Sequence, residues 1–127
     1  MTTALWCVLI VFLMPYAGTL LAKILGKMPL KANHDPRAFL EQVQGIAKRA
    51  HNIQLNSFEI APFFAAAVII ASYLAKVNPV LIDTLAVTFV ISRVVYFMCY
   101  LLDWALVRSI IWTLGLLIIV SLFLVGI

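Results

Sequence analysis

Arg49, Asn52, Asn56 and Glu59 follow one another at intervals of three, four and three residues. In a helix that spacing sets all four side chains on one face. Arg93, Tyr96 and Tyr100 repeat the pattern at three and four, and Arg108 and Trp112 stand four apart further on. Charged and polar groups in such stripes do one of two things. They pair with each other across helices, or they face a wet cavity that holds a ligand.

The surrounding sequence decides where these stripes lie. Of 127 residues, 65% are hydrophobic and only 11% charged, too little polar surface to coat a soluble domain of this length. A membrane-crossing helix needs roughly 20 mostly apolar residues. Four stretches qualify: Ala4–Leu25, Ser57–Ala75, Pro79–Leu102 and Leu106–Ile127. Glu59, Arg93 and Arg108 are therefore intramembrane or interfacial. A charge in hydrocarbon costs at least about 2.5–3.5 kcal/mol, so such groups face a bundle interior or a cavity. Glu59 is expected about a turn inside the boundary and Arg93 about two and a half turns from the same boundary, with Tyr96, Tyr100 and Arg108 shallower. All can meet in one layer. A Glu59–Arg93 ion pair with Arg49 and Arg108 reaching to headgroups explains the same residues without any ligand, and spacing does not choose between the two. Tyr96 and Tyr100 taken alone fit an interfacial aromatic belt.

The elements that position these groups are four helices, at about 4–25, 36–76, 79–102 and 105–127, in one all-α domain with no repeat. Pro15 and Gly18 interrupt the first, which lacks the basic start and small-residue cleavage site of a secretory signal and reads as a retained span. Gly26, Pro29 and Asn33–Pro36 form a loop. Asp35 suits an N-cap and Pro36 the first helical position. Phe39, Leu40, Val43, Ile46, Ala47 and Ala50 continue an amphipathic pattern, so the second helix is expected to run unbroken from Pro36. Pro62 should bend it or free a carbonyl. Asn78-Pro79 makes a tight turn, and Asp103 is expected to end the third helix and cap the fourth.

The net charge is +4, yet Lys23 stands at the end of the first span and Lys27, Lys31, Arg37, Lys48 and Arg49 fall between the first two. That distribution argues for a cytoplasmic loop, with both termini outside, rather than for nucleic acid. Cys7 and Cys99 fall near opposite membrane faces and are not expected to pair. His34 and His51 lack partners at metal-ligand spacing, so no metal is expected. One chain has too few surfaces to seal both polar stripes from lipid, which predicts a symmetric homo-oligomer. The first span holds no acidic residue, unlike small four-helix multidrug exporters.

Asn56-Ser57-Phe58-Glu59-Ile60-Ala61-Pro62 resembles the N-x-x-E-x-x-P hallmark of the MAPEG family, the membrane-associated proteins of eicosanoid and glutathione metabolism. Asp35-Pro36-Arg37-Ala38 is similar to the loop motif of bacterial members, with Arg37 its arginine, and Arg49-Ala50-His51 to the R-A-H before the hallmark in eukaryotic ones. Arg93-x-x-Tyr96-Phe97-x-x-Tyr100 resembles the third-helix motif, and Arg108-Ser109-x-x-Trp112 the bacterial fourth-helix opening. In eicosanoid-forming members an arginine precedes the hallmark asparagine by four; Asn52 stands there in this chain, and Arg49 precedes it by seven.

The resemblance implies a bacterial-type inner-membrane homotrimer over residues 1–127, in contact with lipid and lipophilic small molecules. It implies glutathione as co-substrate, bound between subunits, and transfer or peroxidase chemistry on lipophilic electrophiles or hydroperoxides. By the same resemblance Glu59 holds the glutathione ammonium, Asn56 and Gln54 bond its backbone, and Tyr96 and Tyr100 line the pocket, with Arg49 and Asn52 beside them. Arg93 neutralises a carboxylate or Glu59, and Arg108 activates the thiol. A thiol titrates near ~8.5 and reacts as thiolate, so a neighbouring cation or helix N-terminus raises the reactive fraction. The alternative on the same fold is a non-enzymatic lipid-binding or scaffold protein.

Overall fold

The computed structural model describes residues 1–74 and 76–125. Within them the chain forms α1 (Thr3–Leu25), a 3₁₀ helix (Leu30–His34), α2 (Pro36–Gln42), α3 (Gly45–Leu74), α4 (Pro79–Leu101) and α5 (Ala105–Val125). No strand occurs among the described residues. Four of the helices, α1, α3, α4 and α5, are long and apolar enough to cross a membrane. A 23-residue helix such as α1 or α4 is about 34 Å long, close to the ~30 Å of hydrocarbon. The 30 residues of α3 make about 45 Å, so roughly ten of them extend beyond the apolar layer. The protein is a four-span membrane bundle with one short extra helix. The spans expected to reach Ala75 and Ile127 touch residues outside the described set (Ala75, Gly126 and Ile127); α3 ends at Leu74, and Lys76 is not helical.

The unbroken second helix expected from Pro36 is in fact two. Val43 is extended, with φ −64° and ψ 151°, and Gly45 takes a φ of +60°, a conformation that a β-carbon disfavours. The break folds α2 back on the bundle. Leu40 packs in a small cluster with Ala22 of α1 and Ala50 of α3, joined by Leu21, Phe39 and Leu101. A continuous helix would hold Leu40 away from that cluster.

Elsewhere the local signals act as expected. Asp35 Oδ1 accepts the Ala38 amide at 3.2 Å and Asn78 Oδ1 accepts the Val80 amide at 3.0 Å, each just before a proline at the helix start. The opposite ends of α1 and α4 close alike. Lys27 and Asp103 take positive φ of 53° and 60°, and the next amides, of Met28 and Trp104, return to the carbonyls of Lys23 and Cys99 at 3.0 and 2.9 Å. This is the 6→1 bond of a Schellman end. Asp103 thus ends α4 as expected, and no hydrogen bond to its carboxylate is found among the described residues.

The core runs the length of the bundle. Phe64 of α3 and Phe89 of α4 stack with centroids 4.2 Å apart, amid Val11, Val68, Ala86, Ile119 and Leu122. At Gly18 a β-carbon would come within 3.1 Å of the Gln54 amide nitrogen, a contact that the two backbones could relieve only by moving apart by a few tenths of an ångström. Beyond the core, Asp83 Oδ1 of α4 accepts the Ala4 amide at 2.8 Å and ties the start of α1 to α4. Cys7 and Cys99 are both buried and free.

A polar layer and an apolar cleft between α3 and α5

Arg93 is the most buried charge in the site, 2% exposed. Its Nη2 donates to Asn56 Oδ1 at 2.9 Å and to Ser57 Oγ at 3.4 Å, and its guanidinium carbon lies 4.1 Å from the centroid of the Tyr96 ring. A guanidinium has only donors, so the Asn56 atom facing it must be the carbonyl oxygen. The Asn56 NH₂ is thereby turned away from Arg93, free to donate to whatever enters the site. Glu59 receives none of these bonds. It is exposed along the same face of α3, and the hydrogen bonds of Arg93 go to neutral partners and not to its carboxylate.

Tyr96 meets Tyr100 edge to face at 5.5 Å, and the Arg108 guanidinium lies 4.4 Å from the Tyr100 centroid. Arg93, Tyr96, Tyr100 and Arg108 therefore form a ladder from α4 to α5, two adjoining rings with a cation at each end. Each cation–π contact contributes about 0.5–2 kcal/mol, more where water is excluded. Arg108 sits in the first turn of α5. Its amide makes the first helical hydrogen bond there, to Trp104 O at 2.9 Å, so the positive end of that helix adds to its charge.

Two adjoining hollows share Asn56 and Trp112. The polar one, about 250 Å³, is lined by Asn56, Tyr96, Tyr100, Arg108, Ser109, Trp112 and Thr113. The apolar one, about 360 Å³, continues between α3 and α5 past Glu59, Ile60, Phe63, Leu116, Ile119, Val120 and Phe123. From Trp112 to Phe123 it follows α5 for about 16 Å. An amphiphile fits this shape, with a charged head among Arg108, Asn56 and Glu59 and a tail along the cleft.

Asn56, Glu59, Arg93, Tyr96, Tyr100 and Arg108 thus gather as their spacing suggests. The other expected residues stand apart. Arg49 donates through Nε and Nη2 to the Leu101 carbonyl, both at 3.3 Å, which caps the C-terminal end of α4 with a cation. Gln54 lies on the opposite side of α3, its Oε1 3.2 Å from Nδ1 of the buried His51 and its backbone against Gly18. Asn52 is half-buried, and Arg37 is exposed on α2; neither lines the two hollows. Sequence reasoning gave no role to Ser57, Thr113 or the apolar wall. Ser109, Trp112 and Thr113 do carry a legible signal, since with Arg108 they repeat at one, three and one.

The profile of the MAPEG family matches residues 3–127. The chain belongs to the MAPEG family. That membership accounts for the agreement between its ordered motifs and the polar layer, and it makes the protein an integral, multi-pass membrane protein of a family associated with glutathione and eicosanoid metabolism. No curated protein and no solved structure matches the chain. The MAPEG hallmark residues Asn56 and Glu59 both border the hollows between α3 and α5.

Proposed function

We propose that this MAPEG protein binds glutathione in the polar layer and transfers it to lipophilic electrophiles, or uses it to reduce lipophilic hydroperoxides, taken from the bilayer through the α3–α5 cleft. The observation that carries the reading is the union of Arg108, the start of α5 and the oriented Asn56 amide in one hollow that opens into an apolar cleft. The donor set suits a zwitterionic tripeptide thiol. Arg108 and the helix N-terminus favour an anion, Glu59 an ammonium, and Asn56 NH₂ a peptide carbonyl. In transfer, the thiolate attacks an electrophilic carbon, a C–S bond forms and the leaving group departs with its electron pair. The role of Arg108 is to hold the sulfur deprotonated at neutral pH, and that of Phe63, Leu116 and Phe123 to align the lipophilic partner and exclude water.

The polar hollow, at about 250 Å³, is smaller than the roughly 300–1,000 Å³ usual for small-ligand sites, and Glu59 is an exposed charge in a membrane span. Both features support a site completed by a second copy, in a homotrimer. The basic loop between the first two spans supports a cytoplasmic site in an inner membrane, with both termini outside. A lipid-binding protein without thiol chemistry is the second reading, favoured by the length of the apolar cleft.

Calorimetry of the detergent-purified protein with glutathione and S-hexylglutathione tests the proposal. Both should bind, the hexyl form more tightly because its chain enters the cleft, and Phe63→Ser should erase the difference. Binding of neither compound refutes the reading and leaves the lipid-binding one.

A further inference from the structure

The segment between α1 and α3 carries a surface that the reading above does not use. Its inner side is fixed: Phe39 and Leu40 pack on Leu21, Ala22, Ala50 and Leu101, so α2 is held against the ends of α1, α3 and α4 instead of projecting into water. Its outer side is charged. Lys27, Lys31 and Arg37 are exposed, and no hydrogen bond from their side chains is found among the described residues. The acidic residues nearby are Asp35, whose Oδ1 is engaged by the Ala38 amide, and Glu41 on the last turn of α2. Among these cations stands Leu30, at 94% the most exposed large apolar side chain described. It opens a 3₁₀ helix that the Schellman end of α1 and Pro29 hold in place.

A leucine this exposed is unfavourable in water, and three free cations around it are unfavourable against a neutral or positive surface. Both are satisfied at the boundary of an anionic leaflet, where the phosphates meet the cations and the leucine reaches the acyl chains. α1 is a candidate span that ends at Leu25, only five residues before Leu30, so the segment lies within reach of the headgroups. We propose that Lys27, Leu30, Lys31 and Arg37 form a docking surface for the anionic phospholipid headgroups of the adjoining leaflet. The occupant is lipid because the surface lies beside a span that is itself in the bilayer.

The test places a polarity-sensitive dye on Leu30→Cys, since Cys7 and Cys99 are buried, in nanodiscs of phosphatidylcholine with or without phosphatidylglycerol. Each cation at an anionic surface contributes about fivefold to local docking, so three contribute about a hundredfold. The dye emission should shift to the blue with phosphatidylglycerol, return on adding salt, and lose its lipid dependence in Lys27→Ser/Lys31→Ser/Arg37→Ser. Equal emission in both lipids overturns the proposal, as does a lipid-dependent shift that survives the triple substitution.

Discussion

Arg93→Met combined with Asn56→Leu tests the contact that orients the polar layer. The 2.9 Å bond between Arg93 Nη2 and Asn56 Oδ1 joins a charged donor to a neutral acceptor at a site where Arg93 is fully shielded. Hydrogen bonds to charged groups contribute about 1.5–3 kcal/mol in soluble proteins. Between membrane helices the average is nearer ~0.6, with a maximum of about 1.7, because the unfolded chain in lipid also finds partners. Charge and burial place this pair near the upper end, so the expected coupling is about 1–2 kcal/mol. The stacking of Arg93 on Tyr96 is lost in both mutants that lack Arg93 and cancels from the cycle. The assay is unfolding of the four proteins in mixed micelles as denaturing detergent is added. The cycle Arg93→Met with Glu59→Gln is run beside it. If Arg93 served as an ion-pair partner of Glu59, the coupling would move to that second cycle. Additive effects in the first cycle, within about 0.3 kcal/mol, would refute the orientation of Asn56 by Arg93.

Gly18→Leu should separate α1 from α3, because even a β-carbon comes within 3.1 Å of the Gln54 backbone; melting in detergent should fall by the equivalent of about 1–3 kcal/mol, whereas Gly45→Ala, with open space around it but a positive φ, should lose only about 1 kcal/mol. Asp83→Ala removes the acceptor of the Ala4 amide, and amide exchange at the start of α1 should accelerate about tenfold while the polar layer is unchanged, for a loss of about 1–1.5 kcal/mol. Glu59→Gln should abolish glutathione binding with little loss of melting temperature, since Glu59 is exposed and Arg93 is bonded to Asn56 and Ser57; a large stability loss would mean that Glu59 supports the fold.

Much of this arrangement is legible in the sequence, because helical spacing is a strict geometric constraint. Asn56 and Glu59 on one helix, Arg93, Tyr96 and Tyr100 on the next, and Arg108 on the last each share a face by number alone. Gln54 is two residues from Asn56, about 200° around the helix, so the same constraint places it away from the site. Arg49 is different: it lies on the right face, but the sequence does not reveal that the end of α4 abuts it and takes its donors. The break at Val43–Gly45 is hidden because Leu40, Val43, Ala47 and Ala50 keep helical spacing straight across it; the glycine was the one available sign. The apolar cleft is invisible for a simpler reason. In a membrane span nearly every side chain is apolar, so composition does not distinguish residues that pack on neighbours from those that line a hollow.

The central claim, that Arg108 and the start of α5 hold a thiolate, is met most directly by titrating bound glutathione through its ultraviolet thiolate absorbance in the native protein and in Arg108→Leu. A nearby cation lowers a thiol pKa by about one unit or more, and one unit is ~1.4 kcal/mol. Removing Arg108 should therefore raise the bound thiol pKa by at least about one unit, cutting the thiolate fraction roughly tenfold at a pH below both values. Glutathione affinity should change little, because Glu59 and Asn56 remain. A thiol titration identical in the two proteins, with glutathione bound in both, would contradict the account.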